Sequence, residues 1–168
     1  MKKLILMRHA KSSWSDGDLA DVERPLSARG KSGADAVGMW LNGLGVTPDM
    51  VISSSANRCQ ETWQRVAAKL SQTPEIQHIP ALYMAGSDRI LDIIRTQAKG
   101  DTVLLLGHNP GIGMLARDLR VDPAPHHASF EKYPSGATTI LKAPVEDWAT
   151  LNFGMSHLME YVTPKGLI

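Results

Sequence analysis

This sequence has a single cysteine, no long apolar run and almost no excess of either charge. Cys59 is the single cysteine, so no internal disulfide can form and a reducing, cytoplasmic setting is expected. Eighteen basic and seventeen acidic residues leave a formal net charge of +1, which argues against a broad basic surface for nucleic acid. No apolar run approaches the roughly 20 residues of a membrane span, and Arg8 ends the run 4–7 too early for a signal peptide. We therefore expect neither nucleic acid nor a membrane as a partner.

The chain is long enough for a substantial core. With 168 residues, 43% of them hydrophobic, it predicts a single domain over residues 1–168. Short apolar runs alternate with longer segments of helical periodicity, a pattern typical of an α/β fold with a mostly parallel sheet. The predicted strands cover residues 3–7, 50–53, 76–79, 102–106, 137–142 and 150–155. The predicted helices cover residues 28–44, 57–71, 88–99 and 112–119.

Several helix ends are marked by residues that favour them. Ser27 is a candidate N-cap and Gly45 a stop for the first helix, and Asn57 is a candidate N-cap for the second. Pro110 presets the backbone for the start of the fourth helix. The segment 121–136 is rich in proline and polar residues and is predicted to be a surface loop.

Charged and polar residues follow the three best predicted strands. Arg8 and His9 follow the first strand, Arg58 comes soon after the second, and His108 and Asn109 follow the fourth. The carboxyl ends of parallel strands lie along one edge of a sheet, where open α/β folds bind ligands. Each of these residues taken singly is more often structural, or part of an ordinary ion pair. Together they predict one crevice with two arginines and two histidines.

That set of side chains suits phosphoryl chemistry. Arginine forks match phosphate oxygens, and the start of a helix adds backbone N–H groups. A neutral imidazole can attack phosphorus to give a phosphohistidine, while a second, protonated histidine and the guanidinium groups stabilise the charge. The scheme needs no metal ion and no cofactor.

Five segments in this order resemble the histidine phosphatase superfamily, and in particular its small SixA-like phosphohistidine phosphatases. The resemblance implies a three-layer α/β/α fold with a mostly parallel central sheet, as in phosphoglycerate mutase. It covers roughly residues 3–141. The segments are RHAKSSW (8–14), RPLSARG (24–30), SSANRCQET (54–62), GHNPG (107–111) and YPSGA (133–137).

The resemblance also implies roles for individual residues. His9 corresponds to the nucleophile, Arg8 and Arg58 to the groups that bind the phosphoryl group, and His108 to a donor in the transition state. Asn109 is a further candidate for substrate binding. The expected substrate is phosphohistidine on a protein such as a histidine phosphotransfer domain. A small phosphomonoester and a non-catalytic module that binds a phosphorylated ligand remain open alternatives.

Larger members of the superfamily carry a carboxylic acid that protonates the leaving group, and no clear counterpart exists here. Asp16, Asp18, Asp21 and Asp88 are candidates, although a solvated loop or helix-cap carboxylate is the better explanation for each of them. Phosphohistidine has an easily displaced leaving group, so the missing acid favours it as substrate. Arg24 and Arg29 lie in the segment 24–30, and one of them is a candidate contact for the pocket or for a substrate protein, or else both are surface charges.

Two other patterns point to different chemistry. Cys59 and Arg65 have the spacing of a cysteine-based phosphatase loop, but the residues between them include no glycine and favour a helix. Gly111, Gly113 and Ala116 match the G-x-G-x-x-A spacing of a dinucleotide-binding oxidoreductase, without the expected acidic residue at the end of a second strand. A cysteine-based phosphatase and a dinucleotide-binding oxidoreductase are therefore weaker alternative interpretations.

Overall fold

The computed structural model describes residues 1–168, and its centre is a six-stranded sheet with helices on both faces. The strands are β1 (Lys2–Arg8), β2 (Met50–Ser53), β3 (Glu75–His78), β4 (Thr102–Gly107), β5 (Thr138–Ala143) and β6 (His157–Val162). The helices are α1 (Ala28–Gly43), α2 (Asn57–Ala67), α3 (Ser87–Gln97), α4 (Gly111–Asp118) and α5 (Pro164–Leu167). Short 3₁₀ turns lie at Asp21–Glu23, Pro80–Leu82 and Trp148–Thr150.

The strand order is β3-β2-β4-β1-β5-β6. The first four strands in this order are parallel, and β5 and β6 add an antiparallel edge. The predicted α/β/α fold with a mostly parallel sheet is therefore confirmed. Strand β1 lies inside the sheet, between β4 and β5, and its apolar run is buried on both faces because helices pack on both sides of the sheet.

Alternating side chains of β1 contribute to two cores on opposite faces of the sheet. Leu4 and Leu6 pack in the core that includes residues of α3 and α4, whereas Ile5 and Met7 pack in the core that includes residues of α1 and α2. All four are at most 1% exposed. Since the strand is anchored on both faces, its carboxyl end, where Arg8 is the last residue and His9 follows, is held in a fixed place.

The helix ends agree only partly with the predictions. Ser27 caps α1 by accepting a hydrogen bond from the Gly30 amide, and Gly45 adopts the left-handed conformation just beyond the helix. Asn57 was expected to cap α2, and this is wrong: residue 56 occupies the N-cap position, and the side-chain amide of Asn57 donates to the carbonyl of Glu23 instead. Helix α2 also ends at residue 67 rather than 71.

The strand predicted at 150–155 is also wrong. Residues 148–150 form a 3₁₀ turn, Gly154 has a positive φ, and the sixth strand is β6, which begins at His157. Leu151 is completely buried, so it fills the core from a turn, which a pattern of apolar residues does not distinguish from a strand. Strand β6 was missed because it lies at the sheet edge, where none of its residues is fully buried.

The predicted loop at 121–136 is confirmed in that it contains no helix or strand, but it does not lie wholly on the surface, because Phe130 and Tyr133 are buried. It is held by Tyr133, whose hydroxyl donates to the carbonyl of Leu6 in β1. The Gly136 amide donates to the carbonyl of His9. The loop thereby closes one side of the space beyond the strand ends. None of the helices combines the length and the apolar character needed to cross a membrane.

Candidate active site

A pocket of about 340 Å³ lies at the carboxyl ends of β1 and β4 and the start of α2. All six residues predicted for the site line it, so the structure brings together the side chains that the sequence separates by up to 101 positions, from Arg8 to Asn109. The lining residues are Arg8, His9, Lys11, Ser12, Trp14, Asp21, Arg24, Arg58, Met84, His108, Asn109 and Ser135.

His9 follows directly after β1 and is 7% exposed. Its Nδ1 lies 2.7 Å from the carbonyl oxygen of Ala10, and because a carbonyl can only accept, Nδ1 carries the proton. Burial, reinforced by the positive charges of Arg58 and Arg8, lowers the pKa of His9 from 6.5 to about 3. The imidazole is therefore neutral at neutral pH, with a lone pair on Nε2.

Arg58 lies in the first turn of α2 and is 4% exposed. Its guanidinium donates to the backbone carbonyl of Asp21 at 2.7 Å and to the Asp21 carboxylate at 3.0 Å. It also lies 3.5 Å from Nδ1 of His108. A guanidinium only donates, so this nitrogen of His108 is the acceptor.

His108 follows β4 and is 2% exposed. Its Nε2 lies 2.8 Å from the hydroxyl of Ser54, and its ring centre is 5.2 Å from that of His9. Burial and the positive charge of Arg58 lower its pKa to about 4. The expectation of a protonated second histidine is therefore wrong for the unliganded pocket. A bound phosphoryl dianion would favour the protonated ring and raise the pKa of His108.

Arg8 has no carboxylate partner. Its guanidinium donates to the carbonyl of Tyr133 at 3.0 Å, and its Nε is a buried donor without an acceptor. Burial and the nearby charge of Arg58 lower the pKa of Arg8. A buried donor that lacks a partner favours binding of an anion, because an anion supplies both the acceptor and the opposite charge.

Asp21 is the carboxylate at this pocket. It accepts hydrogen bonds from the hydroxyl of Tyr83, from Arg24 at 3.0 Å and from Arg58 at 3.0 Å. These bonds hold the pKa of Asp21 well below its usual range, with the bond from Tyr83 contributing most. Asp21 is thus ionised, and it has no proton to donate at neutral pH.

The other candidate acids lie away from the pocket. Asp16 and Asp18 are exposed, and the Asp16 carboxylate accepts from the Asp18 amide within their loop. Asp88 is exposed in the first turn of α3. None of the three lines the pocket, so solvated loop and helix-start carboxylates describe them well.

Arg24 and Asn109 reach the pocket with their polar atoms already engaged. Arg24 is 6% exposed and donates to Asp21, to the carbonyl of Ser13 and to the hydroxyl of Ser12. The Asn109 amide donates to the carbonyls of residues 132 and 133 and accepts from the amide of residue 113. Both side chains therefore hold the walls of the pocket together.

Several lining residues were missed by reasoning from the sequence. Trp14 is 77% exposed and stacks against Arg24, whose guanidinium lies 3.1 Å from the ring centre. Met84 is 55% exposed at the same rim. Ser135 lies in the loop that follows Tyr133. Trp14 and Ser135 belong to the motifs 8–14 and 133–137, but motif membership does not say where a side chain points. Met84 belongs to none of the motifs, so no feature of the sequence indicated its place at the rim.

The two weaker sequence patterns have structural explanations. Cys59 is inside α2 with no exposed surface, and burial raises its pKa to about 12, which removes the thiolate that a cysteine mechanism needs. A Cβ on Gly111 would lie 2.0 Å from the Ala85 carbonyl, and one on Gly113 would lie 2.8 Å from Oδ1 of Asn109. Both glycines are thus required by packing, without a dinucleotide.

The geometry defines a pocket for an oxyanion, with two guanidinium groups and two neutral imidazoles at the ends of parallel strands. The profile of the histidine phosphatase superfamily (branch 1) matches residues 4–83. An uncharacterized protein of Mycobacterium tuberculosis is 30% identical over 164 residues, which is 95% of this chain and 100% of that protein. An uncharacterized chloroplastic protein of Arabidopsis thaliana is 35% identical over 120 residues, 66% of this chain, and the match spans 55% of that relative's length.

Solved structures share the whole fold. A candidate phosphohistidine phosphatase SixA from Nakamurella multipartitia is 26% identical, with a TM-score of 0.81 over 97% of this chain and 96% of that chain. Another from Agrobacterium tumefaciens is 24% identical, with a TM-score of 0.82 over 97% and 98%. The chain belongs to the histidine phosphatase superfamily, in its SixA-like branch. This membership supports phosphatase activity.

Proposed function

We propose that this protein hydrolyses phosphohistidine on a protein substrate, through a covalent phosphohistidine formed on His9. The observation that carries the proposal is the state of His9. It is neutral, its proton is fixed on Nδ1 by the carbonyl of Ala10, and its Nε2 has a free lone pair in a pocket with Arg8 and Arg58. A nucleophile of this kind needs no separate base.

The two guanidinium groups and His108 supply charge stabilisation. Arg8 and Arg58 bind the phosphoryl oxygens, and His108 donates a hydrogen bond once the bound dianion has raised its pKa. Nε2 of His9 forms a bond to phosphorus as the bond to the leaving nitrogen breaks. Water then attacks the phosphorus of phospho-His9, which releases inorganic phosphate and restores the imidazole.

The ionised state of Asp21 supports a phosphohistidine substrate over a phosphomonoester. An alkoxide leaving group needs a proton from an acid, whereas a phosphorylated imidazole that is protonated on its other nitrogen departs as neutral imidazole. Asp21 cannot supply that proton while Tyr83, Arg24 and Arg58 hold it ionised. Asp21 instead orients Arg58 and Arg24.

The test compares hydrolysis of a phosphohistidine protein with hydrolysis of a panel of phosphate monoesters, for wild type and for His9→Ala. We expect the wild-type protein to prefer the phosphohistidine protein, and His9→Ala to abolish turnover of every substrate. A labelled phosphodonor should leave acid-labile phosphate on the wild-type protein and none on His9→Ala. Full activity in the variant would refute the mechanism.

The same experiment decides between the alternatives. A preference for monoesters would indicate a small-molecule phosphatase, and binding without any labelled intermediate would indicate a non-catalytic module. Metal independence and a cytoplasmic location stay predictions, as does the single-domain boundary at residues 1–168.

A further inference from the structure

A second and larger cavity adjoins the candidate active site. Its volume is about 660 Å³, and Arg8, Lys11 and Ser135 line both spaces. The cavity therefore opens beside the place proposed for the phosphoryl group. The remaining lining residues are Ala10, Arg29, Gly30, Gly33, Pro134, Pro164, Lys165 and Ile168.

The side chains around this cavity are positively charged. Lys11, Arg29 and Lys165 join Arg8, and no aspartate or glutamate lines the space. None of these four cations takes part in any of the eight ion pairs of the structure, and neither does the terminal carboxylate of Ile168. The net charge of the chain is only +1, so this concentration of unpaired positive charge is local.

Close backbone packing builds the cavity wall. A Cβ on Gly30 would lie 2.0 Å from the Lys11 carbonyl, so the start of α1 lies directly against the chain that follows His9. Pro164 of α5 fits against Gly33 and Gly136, where an added Cβ would come within 3.1 Å and 2.5 Å of its ring. These contacts fix the positions of α1 and α5, which carry Arg29 and Lys165. Both residues therefore line one cavity together with Arg8.

We propose that this cavity binds a second anionic group, a carboxylate or a phosphate, on the same substrate molecule whose phosphoryl group is transferred. The inference rests on the proposed function, and it names the substrate class more closely. Arg8 is shared by both spaces and has a buried donor without an acceptor. A substrate with two anions would engage Arg8 from the active site and the unpaired Lys11, Arg29 and Lys165 from the cavity.

The test uses two substrate pairs that differ in one anion. The first pair is a phosphohistidine peptide with glutamate or glutamine beside the phosphorylated residue, and the second is a hexose bisphosphate and the matching hexose monophosphate. We expect the doubly anionic member of at least one pair to have the lower KM with similar kcat. Preference in the peptide pair identifies a carboxylate, and preference in the hexose pair identifies a phosphate.

The variant for this test is Arg29→Gln combined with Lys165→Gln. It should raise the KM for the preferred substrate about tenfold, since Arg29 and Lys165 are exposed and each exposed ion pair contributes up to about fivefold. Lys31→Gln is the matched control, because Lys31 is an exposed cation of α1 that does not line the cavity. It should keep the wild-type preference.

The outcomes separate the two proposals. Equal KM values within both pairs, or a preference that survives in the double variant, would overturn the second anion site while leaving the phosphatase proposal intact. Failure of the wild-type protein to hydrolyse a phosphohistidine protein as well as all four of these substrates would overturn both.

Discussion

Holding two neutral histidines in a buried pocket should make the fold sensitive to acid. His9 and His108 have pKa values of about 3 and about 4, below the ordinary value of 6.5. Between these values the unfolded chain binds a proton that the folded chain does not, so stability falls as the pH drops below 6.5. At about 1.4 kcal/mol per pH unit, each histidine lowers the free energy of unfolding by about 2.5 kcal/mol between pH 6.5 and 4.5.

The assay is urea unfolding followed by fluorescence of the four tryptophans, at pH 7.5 and pH 4.5. The free energy of unfolding should fall between pH 7.5 and pH 4.5 in both proteins. This fall should be about 2.5 kcal/mol smaller in His9→Gln than in wild type. His126→Gln, which removes an exposed loop histidine, is the matched control and should behave as wild type. An equal fall in His9→Gln and wild type would refute the conclusion that His9 is buried in its neutral form.

Four further predictions concern single positions or the metal requirement. Cys59→Ser should keep phosphatase activity, since the buried thiol is not ionised; loss of activity in a folded variant would contradict this. Gly30→Ala should lower stability by about 1–3 kcal/mol, because its Cβ would lie 2.0 Å from the Lys11 carbonyl, while Gly43→Ala, with open space around it, should not. A chelator such as EDTA should leave turnover unchanged; a loss that added metal restores would show a metal requirement. Asp21→Asn should lower the inhibition constant of inorganic phosphate a few-fold by removing the negative charge beside Arg58, measured as product inhibition; weaker inhibition would instead show that orientation of Arg58 dominates.

The sequence was sufficient to predict the buried strands of the parallel sheet. The apolar runs of β1 and β4 are buried on both faces of the sheet, so their apolar composition and short length identify them. The meeting of Arg8, His9, Arg58 and His108 followed from one rule about the ends of parallel strands. Strand β6 did not follow, because an edge strand needs no fully buried residue.

Protonation states depend on contacts that no spacing encodes. The neutral form of His108 results from burial beside Arg58, and the ionised form of Asp21 results from three donors that come from separate segments. Tyr83, the first of these donors, follows a 3₁₀ turn far from any motif. The second cavity was not predicted from the sequence either. It depends on a contact between distant segments, since Arg29 and Lys165 are 136 positions apart in the chain.

The charges of the pocket are distributed so that one arginine is neutralised and the other is not. Asp21 forms ion pairs with Arg58 and Arg24, whereas Arg8 has only a carbonyl acceptor. An incoming phosphoryl dianion therefore gains most from Arg8, and it competes with Asp21 for Arg58. This competition limits how tightly the product phosphate is held, which matters for an enzyme that must release phosphate after each turnover. The placement of Asp21 thus suits a group that tunes binding of the phosphoryl group better than one that donates a proton.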